Sequence, residues 1–353
     1  MDILPLAFIA RHDPKEEIAK LFKEVFDELA TGGPRQYLTE IVKYITTVME
    51  SQSWTLKKQG GLTIKDLAEA VGSDIEPHLA TILKLLVDGI PGRVWKGKES
   101  LLAALSAVCA ASKGSIESGK YGQTPINLIE LALKECKKND KEYKRQAILC
   151  LSGLLKTFSN VNLYPVVKDQ LFEIATEEVK LEADADAKDK PLMLLIKAAT
   201  FQALGNAWPT DYETQKQFAS DFVTLLVKSV KSNVWNVRVD ILNAIQQFLV
   251  KVHVSNSADS KPSVLTQEMV QDIIAVLFDT LSDQKYSVIR QSALDALAEL
   301  VNKTEGTDML TSNIQEINTQ LSNAINLDMT LTNKAEKIRL QLSDQTSKRR
   351  KNE

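Results

Sequence analysis

The chain has 353 residues, 44% hydrophobic and 25% charged, with a formal net charge of −3. That composition supports a globular protein with ample apolar surface to bury and excludes overall disorder. It offers no basic face for nucleic acid, and no run reaches the ~18 consecutive apolar residues of a membrane helix, so neither nucleic acid nor membrane insertion is expected.

The opening, MDILPLAFIA, is apolar but short, has Asp2 where a signal peptide carries a cation, and is broken by Pro5. It reads as the start of a fragment whose preceding repeats would cover Leu4, Leu6, Phe8 and Ile9. A first helix is predicted near Pro14–Ala30, stopped by Thr31-Gly32-Gly33-Pro34. Helix pairs follow. Their first helices fall near Gln36–Glu50, Ile75–Val87, Pro125–Cys136, Pro165–Lys180, Gln215–Lys231 and Val264–Leu281. Their second helices fall near Leu56–Val71, Lys96–Ala111, Lys141–Phe158, Pro191–Ala207, Val234–Val252 and Ser287–Val301. Two polar connections, Leu181–Lys190 and Ser255–Pro262, are expected to be mobile surface insertions. A last helix is placed near Asn313–Ala324.

Each second helix repeats one pattern. A basic residue, at Lys57, Lys98, Lys144, Lys197, Arg238 and Arg290, is followed by apolar residues at +4, +7, +10 and +11. After Arg290 these are Leu294, Leu297, Leu300 and Val301; after Lys197 they are Phe201, Leu204, Ala207 and Trp208. Lys57 fits least well, with Gly61, Ile64, Leu67 and Ala68, but shares with Lys98 and Arg238 a tryptophan three positions earlier: Trp54, Trp95 and Trp235. Positions three and four apart line one helix face, so each copy is an apolar stripe with a cation at its N-terminal end. Successive anchors lie 41, 46, 53, 41 and 52 residues apart, near the ~40–47-residue period of HEAT and armadillo repeats. The fold class is therefore all-α, an α-solenoid of about six to seven two-helix repeats over residues 1–328. A short helical segment and a partly disordered basic tail complete the chain over 329–353. The tryptophans are expected to fill seams between repeats, and each cation to span to a turn residue of an adjacent repeat, with Asp88, Asp140, Asn233 and Asp283 as candidates. If fully buried, Trp95 replaced by alanine costs about 3–5 kcal/mol.

No catalytic or cofactor motif emerges. Gly92 to Glu99 matches GxxxxGK, but Glu99 stands where a phosphate loop has Ser or Thr, and the preceding residues read as a helix end rather than a strand. His12, His78 and His253 lack partners at metal-ligand spacing. Asp184 and Asp186 lack the glycine and closing glutamate of a calcium loop. Cys109, Cys136 and Cys150 are too few and scattered for a disulfide framework and read as core thiols. No cofactor, no metal and no enzymatic activity are expected. The tail Lys348-Arg349-Arg350-Lys351 is either an import signal or acidic-partner patch, or an inert solvated terminus.

The stretch His12-Asp13-Pro14 to Phe22, the helix Gln36–Glu50, Ser53-Trp54 with Lys57-Lys58, and above all Ile90-Pro91-Gly92-Arg93-Val94-Trp95-Lys96-Gly97-Lys98-Glu99 closely resemble the C-terminal region of the large proteasome-associated HEAT-repeat scaffold family. The resemblance is most specific across residues 10–110 and rests on the repeat pattern beyond them. It implies a scaffold that binds the proteasome, tethers its regulatory particle to its core particle, takes part in proteasome quality control, and works in cytoplasm and nucleus. Periodicity alone implies only an extended surface for a large partner, which a nuclear transport receptor or a phosphatase scaffold would equally provide.

Overall fold

The structure is a computed structural model that describes residues 3–177, 189–255 and 261–350, with side chains given except at 189–190 and 345–350. Among the described residues all regular structure is helical. The chain divides into two compact units, Met1–Val166 and Val167–Glu353.

In the first unit, α1 (Ile3–Ala10) and α2 (Glu16–Leu29) precede three pairs: α3 (Leu38–Glu50) with α4 (Trp54–Val71), α5 (Leu79–Gly89) with α6 (Glu99–Ala111), and α8 (Pro125–Glu135) with α9 (Lys141–Thr157); the short α7 is Lys113–Glu117. Partners pack within each pair, and α4, α6 and α9 stack in succession as a layer of second helices. The boundary between units falls within α10 (Tyr164–Thr176). The second unit holds α11 (Asp189–Ala207), α12 (Tyr212–Ser232), α13 (Trp235–Lys251), α14 (Gln267–Leu281), α15 (Ser287–Lys303), α16 (Ile314–Leu327) and α17 (Thr332–Arg350). Here α12, α14 and α16 form one layer, and α11, α13, α15 and α17 the other.

Local chemistry explains where these helices start. Ser53, Asp140, Asp211 and Thr266 each accept a backbone N–H of the first turn of α4, α9, α12 and α14. Thr124 opens α8 with a capping box to Asn127, and Pro125 occupies the first helical position, where its missing N–H removes no helical bond. Every residue at +4, +7, +10 and +11 from the six anchors is buried, including Gly61 behind Lys57. Each buried Leu, Ile or Phe in those stripes contributes about 1.5–3 kcal/mol.

Three expectations are revised. Leu4, Phe8 and Ile9 are buried, because α1 packs on α2, α3 and α4 and Phe8 meets Phe26 at 4.9 Å. The helical array continues past residue 328: α16 pairs with α17, which buries Ala335, Ile338 and Leu342 and also packs on α15. In the tail, Lys348, Arg349 and Arg350 continue α17, while Lys351 lies outside the described residues. Most of both expected surface insertions, residues 181–188 and 256–260, also lies outside them.

Candidate functional site

The anchors share a location with a physical logic. Lys57, Lys144, Arg238 and Arg290 are each the fourth residue of their helices, while Lys98 is the N-cap of α6. Side chains on a helix lean toward its N-terminus, so a long cation in the first turn reaches back into the preceding turn, where carbonyl oxygens face it. Lys197 departs from this, sitting two turns inside α11, where it is buried.

Lys98 is fully buried. Its Nζ donates to the carbonyls of Pro91, Gly92 and Arg93 at 3.4, 3.3 and 3.2 Å and lies 3.5 Å from Glu135 Oε2 of the next repeat. Glu135, itself buried, also accepts from Tyr143 Oη at 2.8 Å, and Lys138 Nζ sits 3.7 Å from its other oxygen. Burial pushes the Lys98 ammonium below its ordinary pKa, an effect Glu135 partly offsets. Arg290 repeats the plan in the second unit. Its Nη1 donates to Asp283 O at 2.7 Å and its Nη2 to Asp328 Oδ2 at 3.1 Å, between the last two pairs. Hydrogen bonds from Ser287, Thr330 and Arg290 hold the Asp328 carboxyl well below the usual carboxylate range. Arg238 donates from Nε to Asn233 O at 2.8 Å. Lys98, Arg238 and Arg290 thus grip the turn of their own repeat through carbonyls. For Lys98 and Arg290 the link to a neighbour is a carboxylate of the following repeat. Asn233 and Asp283 take part through backbone oxygens, and Asp140 instead caps α9.

The tryptophans in the shared frame are not core residues. Trp54 stacks on Trp95 of the next pair at 5.1 Å while remaining 53% exposed, with the Lys57 ammonium 5.6 Å from its ring. Trp235 stacks on Tyr286 of the next pair at 4.9 Å and is 43% exposed. Neighbouring repeats do meet through these rings, but at the surface. Trp208, outside the frame, fills the core against Phe222 and Phe248 at 4.6 and 5.1 Å.

The Gly92–Glu99 turn is built for Lys98 rather than for phosphate, since three carbonyls already hold the Nζ. Gly97 takes φ 105°, and a Cβ there would stand 2.7 Å from Lys58 Cδ, so glycine answers both the backbone and the packing. In a cleft of about 520 Å³ beside α1, α2 and α4, the Asp66 carboxylate is already paired, 3.4 Å from Arg11 and 3.2 Å from His12. No cluster of three or more His, Cys, Asp or Glu able to hold a metal occurs among the described residues. The three cysteines are buried and free, and burial pushes the Cys150 thiol up to about 11. No helix among the described residues is long and apolar enough to cross a membrane.

The pattern of anchors did not reveal their partners. Glu135 falls on the apolar face of α8 with Leu128, Ile129 and Ala132, and a carboxylate in such a register is itself a sign of a buried cation nearby. Gln215, fully buried near the start of α12, was also missed. It donates to Pro209 O and Lys251 O at 2.7 and 2.8 Å and accepts from His253 N at 2.8 Å, tying the ends of α11, α12 and α13 together.

Comparison with known proteins places this architecture in a family. The "Proteasome adapter and scaffold protein ECM29" of Homo sapiens is 29% identical over 322 residues, covering 86% of this chain and 17% of that protein. The "Proteasome-associated protein ECM29 homolog" of Drosophila melanogaster is 26% identical over 322 residues, covering 84% of this chain and 16% of that one. The chain therefore spans about a sixth of the length of these curated relatives. A crystal structure of importin β is similar in fold, with a TM-score of 0.51 and 13% identity over 95% of this chain and 47% of that one. Residues 126–339, downstream of the motif residues around Trp95, match the family described as "ECM29, C-terminal ARM-like repeats". With that match covering well over half of its length, on helix pairs of the kind the family name describes, the chain belongs to the ECM29 C-terminal ARM-like repeat family.

Proposed function

We propose that this chain is a non-enzymatic, proteasome-binding scaffold segment that helps hold the regulatory particle on the core particle and serves proteasome quality control. The observation that carries the reading is similarity over more than four-fifths of the chain to relatives named as proteasome adapter, scaffold and associated proteins. The geometry supplies a mechanism in keeping with it. Lys98 and Arg290, which grip their own turn and a carboxylate of the next repeat, stiffen those two seams against bending, and stiff repeats fix the distance between two bodies bound to them. Work in both cytoplasm and nucleus belongs to the same proposal, with Lys348, Arg349, Arg350 and Lys351 as an import signal or a contact for an acidic partner. Standard interfaces bury ~1,200–2,000 Å² in total, which a few neighbouring repeats can supply on one side.

The test is retention of intact proteasomes, separated core particles and separated regulatory particles on the immobilised chain. The proposal expects at least one separated particle to be retained, and intact proteasomes more tightly than either alone. Failure to retain any of the three refutes it for this segment. Removing residues 348–353 and finding unchanged nuclear distribution and retention eliminates the role given to the tail.

A further inference from the structure

The second-helix layer of the second unit carries a polar register that is exposed to half-buried. At +5 and +9 from the anchor, four residues apart and so on one helix face, α11 presents Gln202 and Asn206, and α13 presents Asn243 and Gln247. Between these two helices lies a cleft of about 230 Å³ that includes all four amides and Asp240. The helices approach closely here because Gly205 lacks a side chain: a Cβ at that position would stand 3.0 Å from Ala244 Cα. Asp240 is more than half buried, and no hydrogen bond or ion pair reaches its carboxyl among the described residues. Burial alone raises its pKa to about 6. The side-chain amides of Gln202, Asn243 and Gln247 are likewise without protein partners among the described residues.

Nearby cations do not answer this carboxylate. Lys251 Nζ is spent on the carbonyls of Trp208 and Asn206 at 2.7 and 3.3 Å, and Lys303 Nζ on Val250 O at 3.2 Å. On α15 the same +5 and +9 register turns acidic, with Asp295, which pairs with Lys334, and Glu299. An uncompensated carboxylate in a cleft floored by amides has a definite complement. A primary amide offers both N–H donors and a carbonyl acceptor, matching the C=O and N–H of an extended peptide, and the carboxylate matches a cationic side chain. Packed helices lie about 8–10 Å apart, close to three residues of extended chain, so one segment crossing the layer meets Gln202 on one helix and Asn243 and Gln247 on the other.

We propose that the cleft between α11 and α13 binds an extended, basic segment of a protein partner, with Asp240 taking a lysine or arginine and the amides of Gln202, Asn243 and Gln247 holding its backbone. This inference is independent of the proteasome reading, because it rests on residues of the second unit alone.

The test is fluorescence anisotropy of the full chain with a capped, dye-labelled twelve-residue peptide of alternating arginine and serine, and with its glutamate–serine counterpart. Asp240→Asn, the double variant Asn243→Ala with Gln247→Ala, and the exposed-site control Asp272→Asn are compared after circular dichroism shows native helix content in each. The expected result is binding of the basic peptide only, weakened at least fivefold by Asp240→Asn and by the amide double variant, and less than twofold by Asp272→Asn. The proposal is overturned if the native chain does not bind the basic peptide, if Asp240→Asn weakens binding no more than Asp272→Asn, or if the amide double variant binds like the native chain.

Discussion

Lys98 and Glu135 form the most consequential contact between residues. Both side chains are essentially inaccessible to water, so removing one partner strands the other's charge or polarity where no solvent reaches it. Lys98→Met should therefore destabilise the first unit by about 3 kcal/mol or more. The paired change Lys98→Met with Glu135→Leu should recover at least half of that loss. Urea denaturation of the three proteins decides it; equal stability of the single variant and the parent would show that the buried pair contributes nothing. Asp240 is the opposite case, a charge the fold bears without a protein partner. Its carboxyl is raised on folding, so the native state carries no penalty below the unfolded pKa of ~4, accumulates one as the pH rises to about 6, and keeps it above. Asp240→Asn should then raise stability at pH 7.5 by about 1 kcal/mol, allowing for solvent screening, and leave it unchanged at pH 3.5. Thermal melts at the two pH values check this, and an equal effect at both would contradict it. The anchors were readable in the sequence because period and stripe repeat. Glu135, Asp328 and Gln215 were not, because each occurs once, at a position that only the packing of one repeat on the next defines.

For the helices, the 3.6-residue stripe located second helices well, since every stripe position is buried. It located exposure poorly. Trp54, Trp95 and Trp235 share a frame, but a side chain three residues before the anchor lies at the lip of the helix, where a ring of a neighbouring repeat stacks on it and leaves it partly exposed. Trp95→Ala should consequently cost about 1–2 kcal/mol, below the 3–5 kcal/mol of a fully buried ring. A thermal midpoint within a degree of the parent would remove the stacked pair from the list of seam contacts. Polar composition hid the packing of α17, whose described side chains include only Ala335, Ile338 and Leu342 as buried residues, among charged neighbours. What covers Leu4, Phe8 and Ile9 was not legible in the opening apolar segment, because a short helix folded back on α2, α3 and α4 looks the same in sequence as an uncovered edge.

At the scale of the whole molecule, the family match and the repeat register support one description: ARM-like helix pairs, two of which are tied to their successors by the buried cations Lys98 and Arg290. Acid should loosen this coupling where carboxylates receive the cations. Asp328 is held below its ordinary pKa, so its contribution is present at neutral pH and is lost as the pH falls below ~4. The coupling itself is tested most directly by hydrogen-exchange mass spectrometry of the native chain and Lys98→Met. Faster exchange by tenfold or more across both α6 and the α8–α9 pair is the predicted result, because the bond between those repeats is gone. Acceleration confined to residues 90–98, with α8 and α9 as protected as in the parent, would contradict it.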